Sequence, residues 1–483
     1  MRKVQTLLPA EFFSVIKDAL PVCVSVGLAA AIGMVDIHLA GNLGSEVQAG
    51  VGIGDQFLFF AALLGTGIAQ GAASLIARAV GAGIEDEAEV FARAGILCAV
   101  LFGLVSSLSM YFASDYLLNW FSQDACTVNS ASTYLRLCSL ANAPYCLMLT
   151  QSAILRARGR SLATIYPWLA AAAISISLSV SLSQFMPGGK QFTVEFIAIA
   201  WNLGAFAGML VGQGQLKRHG FWTAHKNARA AIFQLAESAR KIVGLGLPIA
   251  ATEAALLCSN FFMYVLLSHL PSANEAQAAW TIRLKIEEMA ATPMILAFSM
   301  TAASMAGQKI GRKDWSGAKR TARGASITAG LFMLIVGSSI FANSNHLARA
   351  QACSNLAAGY AETLLLSSII IYPLTALYMT IFGALEGGGS TLKPMLAVIG
   401  GLYVLRIPLA LVLVFPASMG MNGIVISIIF SHIAVTLSAV SQAKAFFAKG
   451  GSSDCQTTIT KPVEPGTFKF ESTRPAEIVG LSQ

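Results

Sequence analysis

The stretch AASLIARAVGAGIEDEAEVFAR, residues 72–93, returns in outline 230 positions later as AASMAGQKIGRKDWSGAKRTAR, residues 302–323. The same offset pairs the segment LRARGRS, which begins at Leu155, with LEGGGST, which begins at Leu385. A chain whose motifs recur in the same order and at one spacing is predicted to fold as two similar halves. In a membrane protein, such halves commonly enclose a substrate site at their junction.

Composition predicts that the chain lies in a membrane. Hydrophobic residues make up 55% of its 483 residues and charged residues only 12%, against about 25% charged in soluble domains. Apolar runs of about 20 residues, enough to cross a bilayer as a helix, recur along the sequence. The predicted fold is therefore an all-α polytopic membrane protein with twelve transmembrane helices in two six-helix lobes. The predicted spans are 14–40, 50–76, 94–113, 132–155, 162–186, 192–214, 241–268, 278–306, 324–342, 360–385, 392–416 and 420–446.

The basic residues predict how the helices are oriented. If the N-terminus is cytoplasmic, 26 of the 32 Lys and Arg residues fall in segments predicted to lie inside. This is the positive-inside pattern, and it places both termini in the cytoplasm. An even number of spans in each half gives both halves the same orientation, so a pseudo-two-fold axis along the membrane normal relates them. The net charge of +8 thus reflects membrane topology, and we expect no nucleic-acid partner.

Domain limits follow from the spans. We predict an N-terminal lobe at 1–214, a basic cytoplasmic linker at 215–240, a C-terminal lobe at 241–446 and a disordered cytoplasmic tail at 447–483. The linker is either a helix lying on the inner membrane face or a plain connector. The eight cysteines are scattered without a CxxC pair, so we expect no disulfide framework, no zinc site and no cofactor other than a coupling ion.

Several motifs resemble those of the multidrug and toxic compound extrusion (MATE) family. They are MVDIHLAGNLG around Asp36, TAASMAGQKIGRKDWSGAKR at 301–320, LEGGGSTLKP, VLRIPLALVL and MGMNGIVIS. The resemblance covers about residues 10–446. It implies two lobes around a V-shaped cavity that opens alternately to the two sides of a bacterial inner membrane. It also implies multidrug efflux, that is, export of organic and often cationic compounds in exchange for H⁺ or Na⁺.

Two carboxylates within predicted spans are the main candidates for coupling. A charge inside the bilayer is costly and usually faces a water-filled cavity. Asp36 lies late in the first span, and Glu253 is 12 residues beyond Lys241, about 18 Å into the seventh. We predict that both bind the coupling ion and contact the substrate, the role that the resemblance also implies. The alternatives are an Asp36 that caps a helix end and a Glu253 that pairs with a buried donor such as Arg406.

Further polar and flexible side chains are predicted to contact the substrate. Arg283 with Glu287, and Lys285 with Glu288, have the spacing of helical ion pairs. The resemblance leads us to expect an acid in the tenth helix, which segment 369–385 lacks, and an Asn and an Asp in the fifth, where Ser175 and Ser179 stand. Asn202 of the sixth helix could take their place. The predicted substrate contacts, besides Asp36 and Glu253, are Gln56, Asn202, Arg283, Glu287, Met289 and Tyr372.

Other functions fit the sequence less well than export. A flippase for lipid-linked precursors or a metabolite exporter of the same superfamily is the nearest alternative, although a flippase cavity should be lined with basic residues. An enzyme is disfavoured because no HExxH, GxSxG or DxxD motif lies in the spans and the six histidines are isolated. A channel is disfavoured because single acids in two lobes do not form a selectivity ring. We expect a monomer whose partners are a small-molecule substrate and the lipid bilayer.

Overall fold

Helices make up the computed structural model, which describes residues 8–118, 125–184, 193–220, 228–352 and 354–450. Within these ranges there are seventeen α-helices, a 3-10 turn at Ser161–Thr164, a π-helical segment at Gly400–Arg406 and no β-strand. The α-helices are α1 Leu8–Gly41, α2 Ser45–Ala82, α3 Glu85–Leu118, α4 Ala125–Ser139, α5 Asn142–Ala157, α6 Ile165–Gln184, α7 Val194–Arg218, α8 Ala228–Leu267, α9 Ala273–Ala290, α10 Thr292–Gly311, α11 Trp315–Ala342, α12 Ser344–Gln351, α13 Asn355–Leu366, α14 Ser368–Gly387, α15 Leu392–Ile399, α16 Ile407–Val414 and α17 Gly420–Lys449.

The spans confirm the all-α polytopic prediction. Ten helical segments among the described residues are long and apolar enough to cross a membrane, and α9 with α10, bent by 47° at their junction, passes the same test only as a pair. The predicted fourth span, 132–155, corresponds to α4 and α5, which are separated at Leu140 and Ala141. Proline explains both interruptions. Pro144 and Pro293 have no N–H to offer and crowd the carbonyl four residues earlier, which favours a break in the helix at these two points.

The lobes meet where the repeated motifs cross. Helix α2 packs on α8 and α10, and α10 also packs on α1. A Cβ atom on Gly81 would lie 2.0 Å from the carbonyl oxygen of Gln308, and one on Gly311 would lie 2.1 Å from that of Arg78. The offset of 230 relates Gly81 to Gly311 and Arg78 to Gln308. The two contacts are therefore exchanged by the pseudo-two-fold axis, as the duplicated sequence predicts.

Hydrogen bonds join the lobes at the end of the bundle where α2 and α10 finish, here called the closed end. The Ser74 hydroxyl donates to the carbonyl oxygens of Glu386, at 2.7 Å, and Gly387, at 3.1 Å. In the other direction, Nε2 of Gln308 donates to the carbonyl of Ala157 at 2.8 Å. A cavity of about 30 Å³ remains between these contacts. Contact with backbone carbonyls requires small side chains, which is why both copies of the motif carry Ala, Gly and Ser there.

The outer surface of the bundle is apolar. Phe112 on α3 is 77% exposed and Ile335 on α11 is 68% exposed, which is what a surface in contact with hydrocarbon requires. In the predicted linker, α7 extends to Arg218 and α8 begins at Ala228, while residues 221–227 lie outside the described ranges. The tail beyond residue 450 also lies outside them. The lobe limits at 214 and 241 therefore stay predictions.

Candidate transport site

In the N-terminal lobe, α1 places Asp36 in the protein interior. Asp36 is 3% exposed, and its Oδ1 atom has no hydrogen-bond partner in the described part of the chain. The hydroxyls of Ser175 and Ser179 on α6 and Oδ1 of Asn202 on α7 are also buried without a partner. Helix α6 packs on both α1 and α7. The interior between these helices thus offers oxygen atoms that no protein donor occupies, which is the ligand type that hard cations prefer.

Asn202 also has a structural task. Its Nδ2 group donates to the carbonyl of Ala198 at 2.7 Å and to that of Leu137, on α4, at 2.9 Å. These bonds tie α7 to α4 and fix the direction of the side chain. The amide oxygen is thereby left free for a ligand.

Asp55 on α2 is partly buried and lies within electrostatic range of both Asp36 and the α9 residues Lys285 and Glu288. It therefore faces the C-terminal lobe across the junction. The neighbouring predicted contact Gln56 is exposed.

In the C-terminal lobe, Glu253 on α8 is partly buried. The suggested pairing of Glu253 with Arg406 was wrong. Nε of Arg406 donates instead to the hydroxyl of Ser431, on α17, at 3.1 Å. The rotation of α17 against the π-helical segment decides this pairing, and spacing along the sequence carries no information about it.

Sequence reasoning missed a partly buried acid, Glu386. The predicted tenth span stops at residue 385, whereas α14 continues to Gly387. Glu386 is partly buried and lies within electrostatic range of Glu253. The repeat contained a signal for it, because the offset of 230 pairs Glu386 with another charged residue, Arg156. The structure shows that Arg156 is buried.

The ion pairs predicted on α9 are confirmed. Nη2 of Arg283 lies 2.7 Å from Oε2 of Glu287, and Nζ of Lys285 lies 3.0 Å from Oε2 of Glu288. Tyr372 on α14 is 2% exposed and within electrostatic range of Arg283 and Glu287. The structure thus brings three predicted substrate contacts together, Arg283, Glu287 and Tyr372. Met289, by contrast, is 53% exposed.

Comparison with known proteins identifies the family. The family model MatE matches residues 21–181 and 248–412, one block in each half of the chain. The chain belongs to the MATE family. Members of this family are transporters, not enzymes, and they expel drugs and other toxic compounds across membranes. The resemblance drawn from the sequence motifs is confirmed.

A curated MATE relative covers most of the chain. A probable multidrug resistance protein NorM from Thermotoga maritima is 25% identical over 414 residues, 84% of this chain and 87% of the relative. A second NorM, from Synechococcus, is 25% identical over 346 residues, 68% of this chain and 70% of the relative. These bacterial relatives fit a multi-pass protein of an inner membrane.

Solved MATE structures share the fold. An outward-facing multidrug resistance MATE transporter superposes with a TM-score of 0.84 at 18% identity, over 94% of this chain and 99% of that one. A transporter from Pyrococcus furiosus, described as having a binding pocket of reversed polarity, superposes with a TM-score of 0.82 at 18% identity, over 93% and 99%. These similarities confirm the two-lobed helical architecture.

Proposed function

We propose that this protein is a secondary antiporter that exports small organic compounds, cationic ones among them, in exchange for H⁺ or Na⁺. The observation that carries the proposal is the buried Asp36 carboxylate, whose Oδ1 atom has no hydrogen-bond partner among the described residues. An intramembrane acid without a partner is costly to keep unless it binds something. Multidrug efflux in the family supports an organic substrate.

Exchange follows if ion and substrate compete for the same carboxylates. Asp36 in one lobe and Glu253 in the other each bind the coupling cation or interact with a cationic substrate. Because the two ligands exclude one another, inward movement of one is tied to outward movement of the other. Separation of the lobes at the closed end would break the Ser74 and Gln308 hydrogen bonds and give access from that side.

We also propose that both termini are cytoplasmic and that one chain is the functional unit. The distribution of Lys and Arg supports the orientation. The duplicated halves support a monomer, because a single chain supplies both sides of the site.

The test is ethidium efflux from proteoliposomes under an imposed ΔpH or Na⁺ gradient. Asp36→Asn and Glu253→Gln keep the shape of each side chain and remove its charge. We expect coupled efflux to fall at least tenfold in one or both variants, with normal insertion into the membrane.

The matched control is Asp86→Asn, which removes an exposed carboxylate at the start of α3. It should transport like the wild type. Unchanged efflux in both Asp36→Asn and Glu253→Gln would remove these acids from the mechanism. Efflux under only one of the two gradients would identify the coupling ion.

A further inference from the structure

The interior of the C-terminal lobe contains buried hydrogen-bond donors for which the protein supplies no acceptor. Nε1 of Trp280 and the hydroxyl of Tyr372 are both buried and have no partner among the described residues. Two guanidinium groups lie in the same interior, those of Arg283 and Arg406, which are 6% and 7% exposed. In the N-terminal lobe, the unpartnered atoms around Asp36 are carboxylate, amide and hydroxyl oxygens. The Trp280 and Tyr372 donors therefore suit a ligand group that accepts hydrogen bonds.

Arg406 is a further buried donor in this interior with few acceptors around it. A guanidinium group has five N–H donors and remains charged. Nε of Arg406 donates to the Ser431 hydroxyl at 3.1 Å. Its Nη2 atom lies 3.3 Å from Nδ1 of His432, but that Nδ1 atom is only 2.8 Å from the carbonyl oxygen of Ile428. A carbonyl can only accept, so Nδ1 carries the hydrogen and cannot accept one from Arg406.

These groups form one cluster around Arg283. Its guanidinium lies 4.7 Å from the centre of the Trp280 ring and within electrostatic range of Tyr372, Arg406 and His432. Glu287 forms an ion pair with Arg283 at 2.7 Å and lies within electrostatic range of Arg406, so one carboxylate serves two guanidinium groups. Glu253 lies within electrostatic range of Tyr378 in the same interior. The side-chain contacts of Arg406 are instead with Ser431 and His432 on α17. A buried cation without an ion-pair partner is expensive.

The backbone around Arg406 is also unusual. Residues Gly400–Arg406 form a π-helical segment, and Pro408, two residues further on, has no N–H to continue the normal pattern. π-Helical turns are rare and often occur at functional sites. Arg406 is the last residue of this segment, and its side chain lies in the interior of the lobe.

We propose that this cluster, formed by Trp280, Arg283, Tyr372 and Arg406, binds a monovalent anionic group. The group is either a carboxylate carried by the transported compound or a free halide ion. Both supply the acceptor lone pairs and the negative charge that the donors lack. The proposal rests on the proposed export function and adds a substrate class to it, compounds that bear a carboxylate.

Binding is tested on the purified full-length protein with sodium bromide, against sodium sulfate at equal ionic strength. Bromide quenches tryptophan fluorescence on contact, and Trp280 lies within the cluster. We expect saturable quenching that disappears in Trp280→Phe. Tyr372→Phe should weaken bromide binding at least fivefold, and Arg406→Gln should weaken it more than Arg406→Lys.

If Arg406→Gln fails to fold, Tyr372→Phe still tests the proposal. The Tyr372 hydroxyl has no hydrogen-bond partner in the part of the chain that the structure describes, so its removal breaks no hydrogen bond seen there. The matched control is Thr380→Val, which removes another buried and unpartnered hydroxyl from the same helix, α14. It should bind bromide like the wild type. Quenching that is unsaturable, or equal in Tyr372→Phe and the wild type, would overturn the halide form of the proposal.

Transport distinguishes the two sources of the anion. Rhodamine B and its methyl ester differ only by a free carboxylate. If the cluster binds the substrate, Tyr372→Phe should reduce kcat/KM for rhodamine B at least fivefold more than for the ester. An equal effect on both dyes, together with saturable bromide binding, assigns the site to a halide. If neither bromide binding nor a carboxylate preference is found, the proposal is wrong. Gradient-driven efflux of the ester would show that the export function stands without it.

Discussion

Replacing Gly81 with alanine should loosen the contact between the lobes at the closed end. The new methyl group would lie 2.0 Å from the carbonyl oxygen of Gln308. Backbone cannot move aside as a flexible side chain can, so α2 and α10 must separate. Overpacking of this kind costs roughly 1–3 kcal/mol. Helix α2 stays helical when the lobes separate, so the helix propensity of alanine does not change this cost. A cost of about 1–2 kcal/mol shifts the equilibrium between closed and open lobes about five- to thirtyfold.

The assay is maleimide labelling of Met305→Cys in a background without the eight native cysteines. Met305 on α10 lines the small cavity against Asp18 of α1 and Arg156 of α5, so labelling reports separation of α10 from the N-terminal lobe. Gly81→Ala should raise the labelling rate by the factor given above. Gly311→Ala should do the same, because its methyl group would meet the carbonyl of Arg78 at 2.1 Å.

Two comparisons make the reasoning refutable. In Gly244→Ala the added methyl group meets nothing within 4 Å, so labelling should not change. The double variant of Gly81 and Gly311 should show less than the product of the two single effects, since one separation relieves both clashes. If the single variants label like the wild type, the contact does not control access.

The remaining predictions concern three other sites. Ser175→Ala and Ser179→Ala remove hydroxyls that have no partner among the described residues, so the thermal stability should not change. The coupling-ion concentration for half-maximal efflux should rise about tenfold, because each variant loses one contact to a charged ion. Equal ion dependence would exclude the serines as ligands. Ser74→Ala removes the donor to two carbonyls across the closed end. Because a hydrogen bond contributes roughly 1 kcal/mol, the labelling rate of Met305→Cys should rise about fivefold. A rate no higher than that of the parent protein would contradict this. Asp314 caps α11 by accepting from the N–H of Gly317 at 2.8 Å, and that bond, followed by the one from Ser316, lowers the pKa of its carboxyl. Its stabilisation is present above the unfolded pKa of about 3.9 and is lost as pH falls through the lower folded value. Asp314→Ala should therefore lower the free energy of unfolding by about 1 kcal/mol at pH 7, with the difference shrinking in melting curves recorded below about pH 3; a difference independent of pH would argue against the cap.

The sequence by itself determined the membrane character, the two-fold repeat, the family and the ion pairs on α9. The repeat and the family are visible when stretches of sequence are compared, and the membrane character and the ion pairs depend on residues that lie close together in the chain. Whether a run prefers hydrocarbon depends on its own composition, and Arg283 meets Glu287 because four residues make about one helical turn. The carboxylates Asp36 and Glu253 could be selected for the same reason, since a charge in an apolar run is visible without knowledge of its neighbours.

Only the tertiary structure decided which of these charges are compensated. Arg406 bonds Ser431 rather than Glu253, and Ser74 reaches the carbonyl of Glu386, 312 residues away. Such pairings depend on how each helix is rotated about its axis and shifted along it against its neighbours. An apolar stretch fits hydrocarbon at any rotation, so hydropathy leaves that choice open. Close packing of backbone at Gly81 and Gly311, together with the bends at Pro144 and Pro293, fixes the rotation and the axial position of these helices.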